Sequence, residues 1–418
     1  MFKDWLTKFL IWRLKHIPIR NFVFILSGII GLLAGIAAVT LKSAVHYIQA
    51  LLTSGFEFAN ANVFYVLYPL VGIVITVIVA RLVFKDFLGH GVTDIIYSIS
   101  KKSGIIDRVK MWSRMVTSAI TVGFGGSVGL EAPIAITGSA IGSNISRLMH
   151  LNQSKRTLMI GCGAAGGVAA IFDAPIGGVI FAIEIILAQA NIQSFIPLLI
   201  SSVTASLVSK FTTGNDIIFS FRLVDEIKAA EIPYYIILGV LCGLFSVYFS
   251  RVVPIVETRI GSINSKLRPW IGGIILGGII FIFPPLYGEG YDSIIKLTKG
   301  QNEILHDSLF FGELSNESFI LIFTLFLALL KPVASALTLG SGGSGGIFAP
   351  SLVVGGYIGF SYSSFVNQLG ADKLLSVNNF ILVGMCGVMS GVQYAPLTAI
   401  FLIAEITNGY TLFIPLMI

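Results

Sequence analysis

The chain has 418 residues, of which 55% are hydrophobic and 11% charged, with a formal net charge of +6 and a mean hydropathy of +0.89. A soluble fold of this length lacks the polar surface to cover so much apolar side chain, so the composition excludes one and predicts an all-α polytopic membrane protein. The basic residues are scattered over loops, which argues against nucleic acid as a partner and makes the positive charge a signal of membrane orientation.

In chain order, residues 1–20 carry Lys3, Lys8, Arg13, Lys15 and Arg20 against Asp4. The positive-inside rule places this segment in the cytoplasm. It lacks a small-residue cleavage site before Phe22 and does not read as a removable signal. Apolar runs predict spans at Phe22–Leu41, Val63–Phe84, Tyr234–Phe249, Ile271–Phe283 and from Phe319 onward. Other apolar segments are short or cut by Gly and Pro, the pattern of half-helices that meet at mid-membrane.

The loop Lys85–Arg114 contains Lys101, Lys102, Arg108 and Lys110 and is expected to return to the cytoplasm; Tyr287–Ser318 carries more acid than base and is expected outside. Arg81, near the end of its span, reads as snorkelling, and Lys331 either snorkels or lines an inner vestibule. Asp173, before Ala174 and Pro175, reads as a helix N-cap. Isolated glycines such as Gly277, Gly278 and Gly355 read as packing positions between helices. Cys162, Cys242 and Cys386 lie in apolar runs and read as buried small hydrophobes; the five histidines form no ligand pattern, so no metal or cofactor is expected.

The chain repeats itself. "GLEAP" at Gly129–Pro133 echoes "GIFAP" at Gly346–Pro350, and "FDAPIGGVIFAIEI" at Phe172–Ile185 echoes "QYAPLTAIFLIAEI" at Gln393–Ile406. Pro350 lies 217 positions after Pro133, and Pro396 lies 221 after Pro175. The second Ala-Pro of each half is followed nine positions later by a carboxylate, Glu184 and Glu405. Two ordered motif pairs at nearly one offset predict two inverted-topology repeats, 21–211 and 232–418, joined by a polar connector at 212–231.

Each half also carries a glycine-rich run, "GFGGSVG" and "GSGGSGG", leading into Ala-Pro. Proline is favoured in the first turn of a helix, so helices are predicted to start near Glu131 and Phe348. A helix start presents unpaired N–H donors and about half a positive charge, and glycine lets backbone approach a desolvated anion. Two such starts facing each other at mid-membrane would hold an anion.

On these motifs the sequence resembles the CLC family of chloride channels and chloride/proton antiporters, from the first span to Ile418. The resemblance implies a homodimer in the cell membrane, with one pore per subunit for chloride and similar small anions. Anion-binding loops then include Gly346, Ile347 and Phe348, with Gly129 and Leu130 from the "GLEAP" loop and His90 and Gly91 from an upstream loop. Glu131 becomes the gating glutamate, whose carboxylate occupies an anion position until protonated or displaced, and the residue through which protons would pass.

The departures from the family pattern matter as much. Leu130 stands in place of a basic residue and Ala132 in place of glycine; His90 stands where a pore serine is expected and Thr93 where a proline is. The His90 imidazole either donates to the anion or faces away from it. The inner proton-passing glutamate of the antiporters is replaced by Ile185, while Glu184 matches a carboxylate with a structural role. The family's last helix, with an anion-coordinating tyrosine, is expected after Ile418, and Tyr410 comes too early for that task. Ile185 tilts the expectation towards a channel, with chloride/proton antiport as the alternative and fluoride export as a weaker one. An intramembrane hydrolase using Ser341 or Ser344 would need a base, and the second half supplies only His306; an organic-solute transporter would need a carboxylate cluster that the sequence lacks.

Overall fold

Long apolar runs without turn residues fold as helices because hydrocarbon leaves the backbone only its own groups to bond with. The computed structural model describes residues 2–53, 64–85, 91–187, 192–213, 229–299, 317–370, 375–407 and 410–418. Its helices are α1 Phe2–His16, α2 Ile19–Thr53, α3 Phe64–Ile78, α4 Thr93–Lys101, α5 Ser113–Gly123, α6 Glu131–Leu148, α7 Gln153–Phe172, α8 Pro175–Phe181 and α9 Ile192–Thr213. There follow α10 Ile232–Gly261, α11 Arg268–Ile282, α12 Tyr291–Lys299, α13 Glu317–Gly340, α14 Phe348–Gln368, α15 Val377–Gln393, α16 Pro396–Ile406 and α17 Phe413–Met417. Among the described residues the β-structure is one antiparallel bridge, between Gly129 and Gly346.

Among the described residues, five helices are long and apolar enough to cross a membrane: Ile19–Leu52, Val66–Phe84, Gln193–Thr212, Ile232–Gly261 and Ser318–Gly340. Four coincide with spans expected from sequence. Ile271–Phe283 instead belongs to the shorter α11, and Gln193–Thr212 was hidden by its hydroxyls. Those hydroxyls are satisfied internally, since Ser201 donates to the Cys162 carbonyl at 2.7 Å and Ser206 to that of Ala169 at 3.1 Å.

Contacts divide the chain into two compact units. The first comprises Met1–Thr40, His90–Trp112 and Ile134–Asp216. Within it small residues bring backbones together: a Cβ on Gly138 would overlap the Gly163 carbonyl, and one on Gly31 the backbone of Ser201. The second comprises Leu41–Gly89, Ser113–Pro133 and Ile217–Ile418. Here α14 meets α15 through Gly355 and Gly384, and α11 meets α3 where Gly277 lies on the Val66 carbonyl. At Gly278, also read as a packing position, an added Cβ would meet nothing within 4 Å among the described residues, so close approach within this part of the chain does not require glycine there.

The Ala-Pro motifs start helices as expected, α8 at Pro175 and α16 at Pro396. Asp173 is no N-cap, however. It closes α7 in the left-handed region at φ 54, as Tyr394 closes α15, and its carboxylate pairs with Lys210 at 3.3 Å. An aspartate tolerates that conformation because its short polar side chain bonds locally. All three cysteines are free and buried.

Candidate functional site at two paired helix starts

The run Gly123–Gly129 leads into α6, which starts at Glu131, and the run Gly340–Gly346 leads into α14, which starts at Phe348; Pro133 and Pro350 each occupy the third position. Both runs turn at a glycine with positive φ, Gly125 at 90 and Gly342 at 101. Only a residue without Cβ adopts this region readily, and at Gly125 a Cβ would also overlap the Tyr287 ring.

The runs are locked together by reciprocal bonds. Gly129 N–H donates to the Gly346 carbonyl at 2.8 Å, and Gly346 N–H returns the bond at 2.9 Å. Ser127 N–H donates to the Thr338 hydroxyl at 3.1 Å, and Ser344 N–H to the Thr121 hydroxyl at 3.0 Å. Gly126 N–H reaches the Thr121 carbonyl at 2.8 Å, and Gly343 N–H that of Thr338 at 2.9 Å. Every partner has its counterpart 217 positions along the chain, the offset of the two motifs. Two local two-fold-related loops thus set two helix starts, each with partial positive charge, side by side.

Glu131 is the first residue of α6 and is 1% exposed. Its Oε1 accepts the Tyr291 hydroxyl at 3.0 Å. Its Oε2 is buried without a hydrogen bond, while the backbone amides of Glu131 and Ala349, one from each helix start, lie beside the carboxylate. Gly129 leaves the space for it, since a Cβ there would overlap Oε2. A negative group is therefore seated where the peptide dipoles of both helices favour negative charge.

Tyr291 opens α12, and the turn before it, Gly288–Gly290, was read from sequence as an outside loop. Its first residues fold against the helix start. Glu289 Oε1 accepts the Leu130 N–H at 3.3 Å. Lys331, expected to snorkel or to line a vestibule, is fully buried, and its Nζ donates to the carbonyls of Gly288 at 2.9 Å and Leu286 at 3.3 Å. These carbonyls give the buried amine the hydrogen-bond partners that water would otherwise supply. Sequence reasoning missed Glu289 and Tyr291. The signal was "GEGYDSI", a carboxylate between two glycines at the head of a helix, which shares with the two paired runs only glycines leading into a helix start.

Of the other nominated residues, Ile347 precedes the first turn of α14 as its N-cap residue, and Phe348 and Leu130 are buried. The Leu130 amide, nominated for an anion, is engaged by Glu289. Gly91, with φ 54, opens the turn before α4 in the first unit, and His90 lies outside the described residues. Ile185 and Glu184 fall in the π-helical turn Ala182–Ile186 that follows α8. Arg81 is exposed and reaches the Ser265 carbonyl at 3.4 Å, and Tyr410 is 53% exposed against Phe413. Ser341 donates to the Leu337 carbonyl at 2.6 Å and Ser344 accepts the Thr117 hydroxyl at 3.0 Å, so both hydroxyls tie the loop together. His306 lies outside the described residues.

Apolar helices around a buried carboxylate at paired helix starts define a multi-pass membrane protein of the broken-helix type. Residues 71–418 match the family model described as voltage gated chloride channel, and the chain belongs to that family of transport proteins, which are not enzymes. Chloride channel protein CLC-f of Arabidopsis thaliana is 32% identical over 321 residues, covering 73% of this chain and 40% of the relative, so this chain spans well under half of that protein. The H(+)/Cl(−) exchange transporter ClcA of Vibrio vulnificus is 28% identical over 442 residues, covering 100% of this chain and 88% of the relative. A crystal structure of a slow cyanobacterial Cl−/H+ antiporter shares the fold with a TM-score of 0.78 at 22% identity, over 94% of this chain and 91% of that one.

Proposed function

We propose that the protein exchanges chloride for protons across a membrane, with Glu131 as the group that both ions displace. One observation carries this: a buried carboxylate lies at the start of α6 beside an amide of α14, in the place an anion would take. Ionised, it competes with chloride for the helix starts; protonated, it loses its charge and yields them. Ile347 and Phe348 then offer backbone to the anion, while the Gly346 amide, also nominated from sequence, is held by the Gly129 carbonyl and Gly129 gives the carboxylate room. The channel expectation drawn from Ile185 gives way to antiport. ClcA, which matches this chain along its whole length, is named as an exchange transporter, and Ile185 removes only one of the positions from which a proton can come. Passive conduction is the second reading, favoured by Ile185 itself and by the channel name of CLC-f. We place the protein in a cell membrane as a homodimer, on the family resemblance, with a cytoplasmic N-terminus supported by the basic segment before Ile19.

The test is purified protein in liposomes under a chloride gradient, with chloride efflux and internal pH recorded together. Uphill proton movement in the native chain that vanishes in Glu131→Gln is the expected result. Chloride flux with no proton movement in the native chain would overturn exchange in favour of the channel.

A further inference from the structure

We infer that Glu289 is the proton's station beside Glu131, a second carboxylate that takes a proton from water and passes it to the buried gate. This rests on the exchange reading above. Glu289 lies in a tight bend between Gly288 and Gly290, whose φ values of 59 and 94 hold its side chain over the start of α6. Its Oε1 accepts the Leu130 N–H at 3.3 Å, which anchors the carboxyl group one residue from Glu131.

Access separates the two carboxylates. Glu131 is 1% exposed and has one oxygen without a hydrogen bond, whereas Glu289 keeps part of its surface open. Of the two carboxylates, Glu289 is the one whose residue retains solvent-open surface. Charge is arranged for the task as well. Glu289 neighbours the Glu131 carboxylate and the amines of Lys331 and Lys42, while Tyr291, two residues on, holds Glu131 through its hydroxyl. Lys331 in turn fixes the bend by bonding the Gly288 carbonyl. A like-charged neighbour makes it costly for both carboxylates to be ionised together, which favours a proton on one of them. In the transfer, the Glu289 carboxylate binds a proton from water, its O–H bond breaks as one forms on Glu131, and Glu289 returns to the anion. The reverse sequence releases the proton. Ile185 carries no proton, and Glu289 is a titratable neighbour of the gate that this chain does possess.

Glu289→Gln separates relay from mere support, because the amide oxygen can still accept the Leu130 N–H while no proton can be carried. In full-length protein reconstituted in liposomes, proton flux relative to chloride flux is expected to fall at least about tenfold in Glu289→Gln. Glu289→Asp should restore most of it with a displaced pH profile. Native flux ratios in Glu289→Gln, or an unchanged pH profile in Glu289→Asp, would overturn the relay. The parent reading fails separately: it falls if the native chain moves no protons uphill or if Glu131→Gln keeps full coupling. Coupling lost in Glu131→Gln yet kept in Glu289→Gln refutes the relay alone.

Discussion

Gly129 and Gly346 exchange both of their backbone hydrogen bonds, at 2.8 and 2.9 Å, and so form the single β-bridge among the described residues of a helical protein. The bridge satisfies four backbone groups that water cannot reach and fixes the spacing of the two helix starts. It also ties the position of the Glu131 carboxylate to residues 217 positions apart.

The first consequence concerns Gly129. A Cβ there would overlap Oε2 of Glu131 and lie 2.8 Å from the Ala349 methyl. Gly129→Ala should therefore expel the carboxylate from its seat, at a cost of about 1–3 kcal/mol. Proton-coupled chloride flux should fall strongly. Gly278→Ala, at a helical position with nothing within 4 Å, should retain native flux and stability. Liposome flux and thermal melting of both variants check this, and equal behaviour of the two would refute the crowding account.

The second concerns Tyr291, whose hydroxyl donates to Glu131 at 3.0 Å. A donor favours the ionised form of its acceptor, so without it Glu131 takes a proton more readily. Tyr291→Phe should move the pH profile of chloride flux towards higher pH, by up to about one unit. The check is flux measured from acid to alkaline pH in parallel with the native chain. A shift towards lower pH would contradict the assignment of the tyrosine as donor.

The third concerns the threonine pair. Thr338 accepts the Ser127 N–H and Thr121 the Ser344 N–H. Valine keeps the shape but leaves a buried N–H unbonded, which costs about 1–3 kcal/mol. Thr338→Val and Thr121→Val should both lower the melting temperature of the purified protein. Thr121 has an additional partner, the Thr76 hydroxyl at 2.9 Å, so its replacement should be the more damaging. Unchanged melting in both variants would show that the paired loops do not depend on these bonds.

Much of this site was legible before folding. Proline at the third position of α6 and α14, the glycines ahead of it and the common offset are local signals, read along a few residues, and they predicted helix starts near Glu131 and Phe348, where the helices begin. Asp173 failed because local chemistry is ambiguous: a short carboxylate before Ala-Pro suits an N-cap as well as the left-handed closing position it occupies. Lys331 failed because nothing near it in sequence announces the carbonyls of Leu286 and Gly288, more than forty positions earlier.

Composition and local pattern by themselves determined the membrane environment, the helices, the two motif pairs and the carboxylate at a helix start, since each depends on hydropathy or on the backbone limits of Gly and Pro. Tertiary structure alone decided what meets Glu131. Tyr291 reaches Glu131 from 160 positions away and Glu289 reaches the adjoining Leu130 amide from 159, and the offset between partners carries no local signature that could announce them. Their convergence follows from how apolar helices pack and from the need of every buried polar group for a partner, and both are settled only when the whole chain has folded.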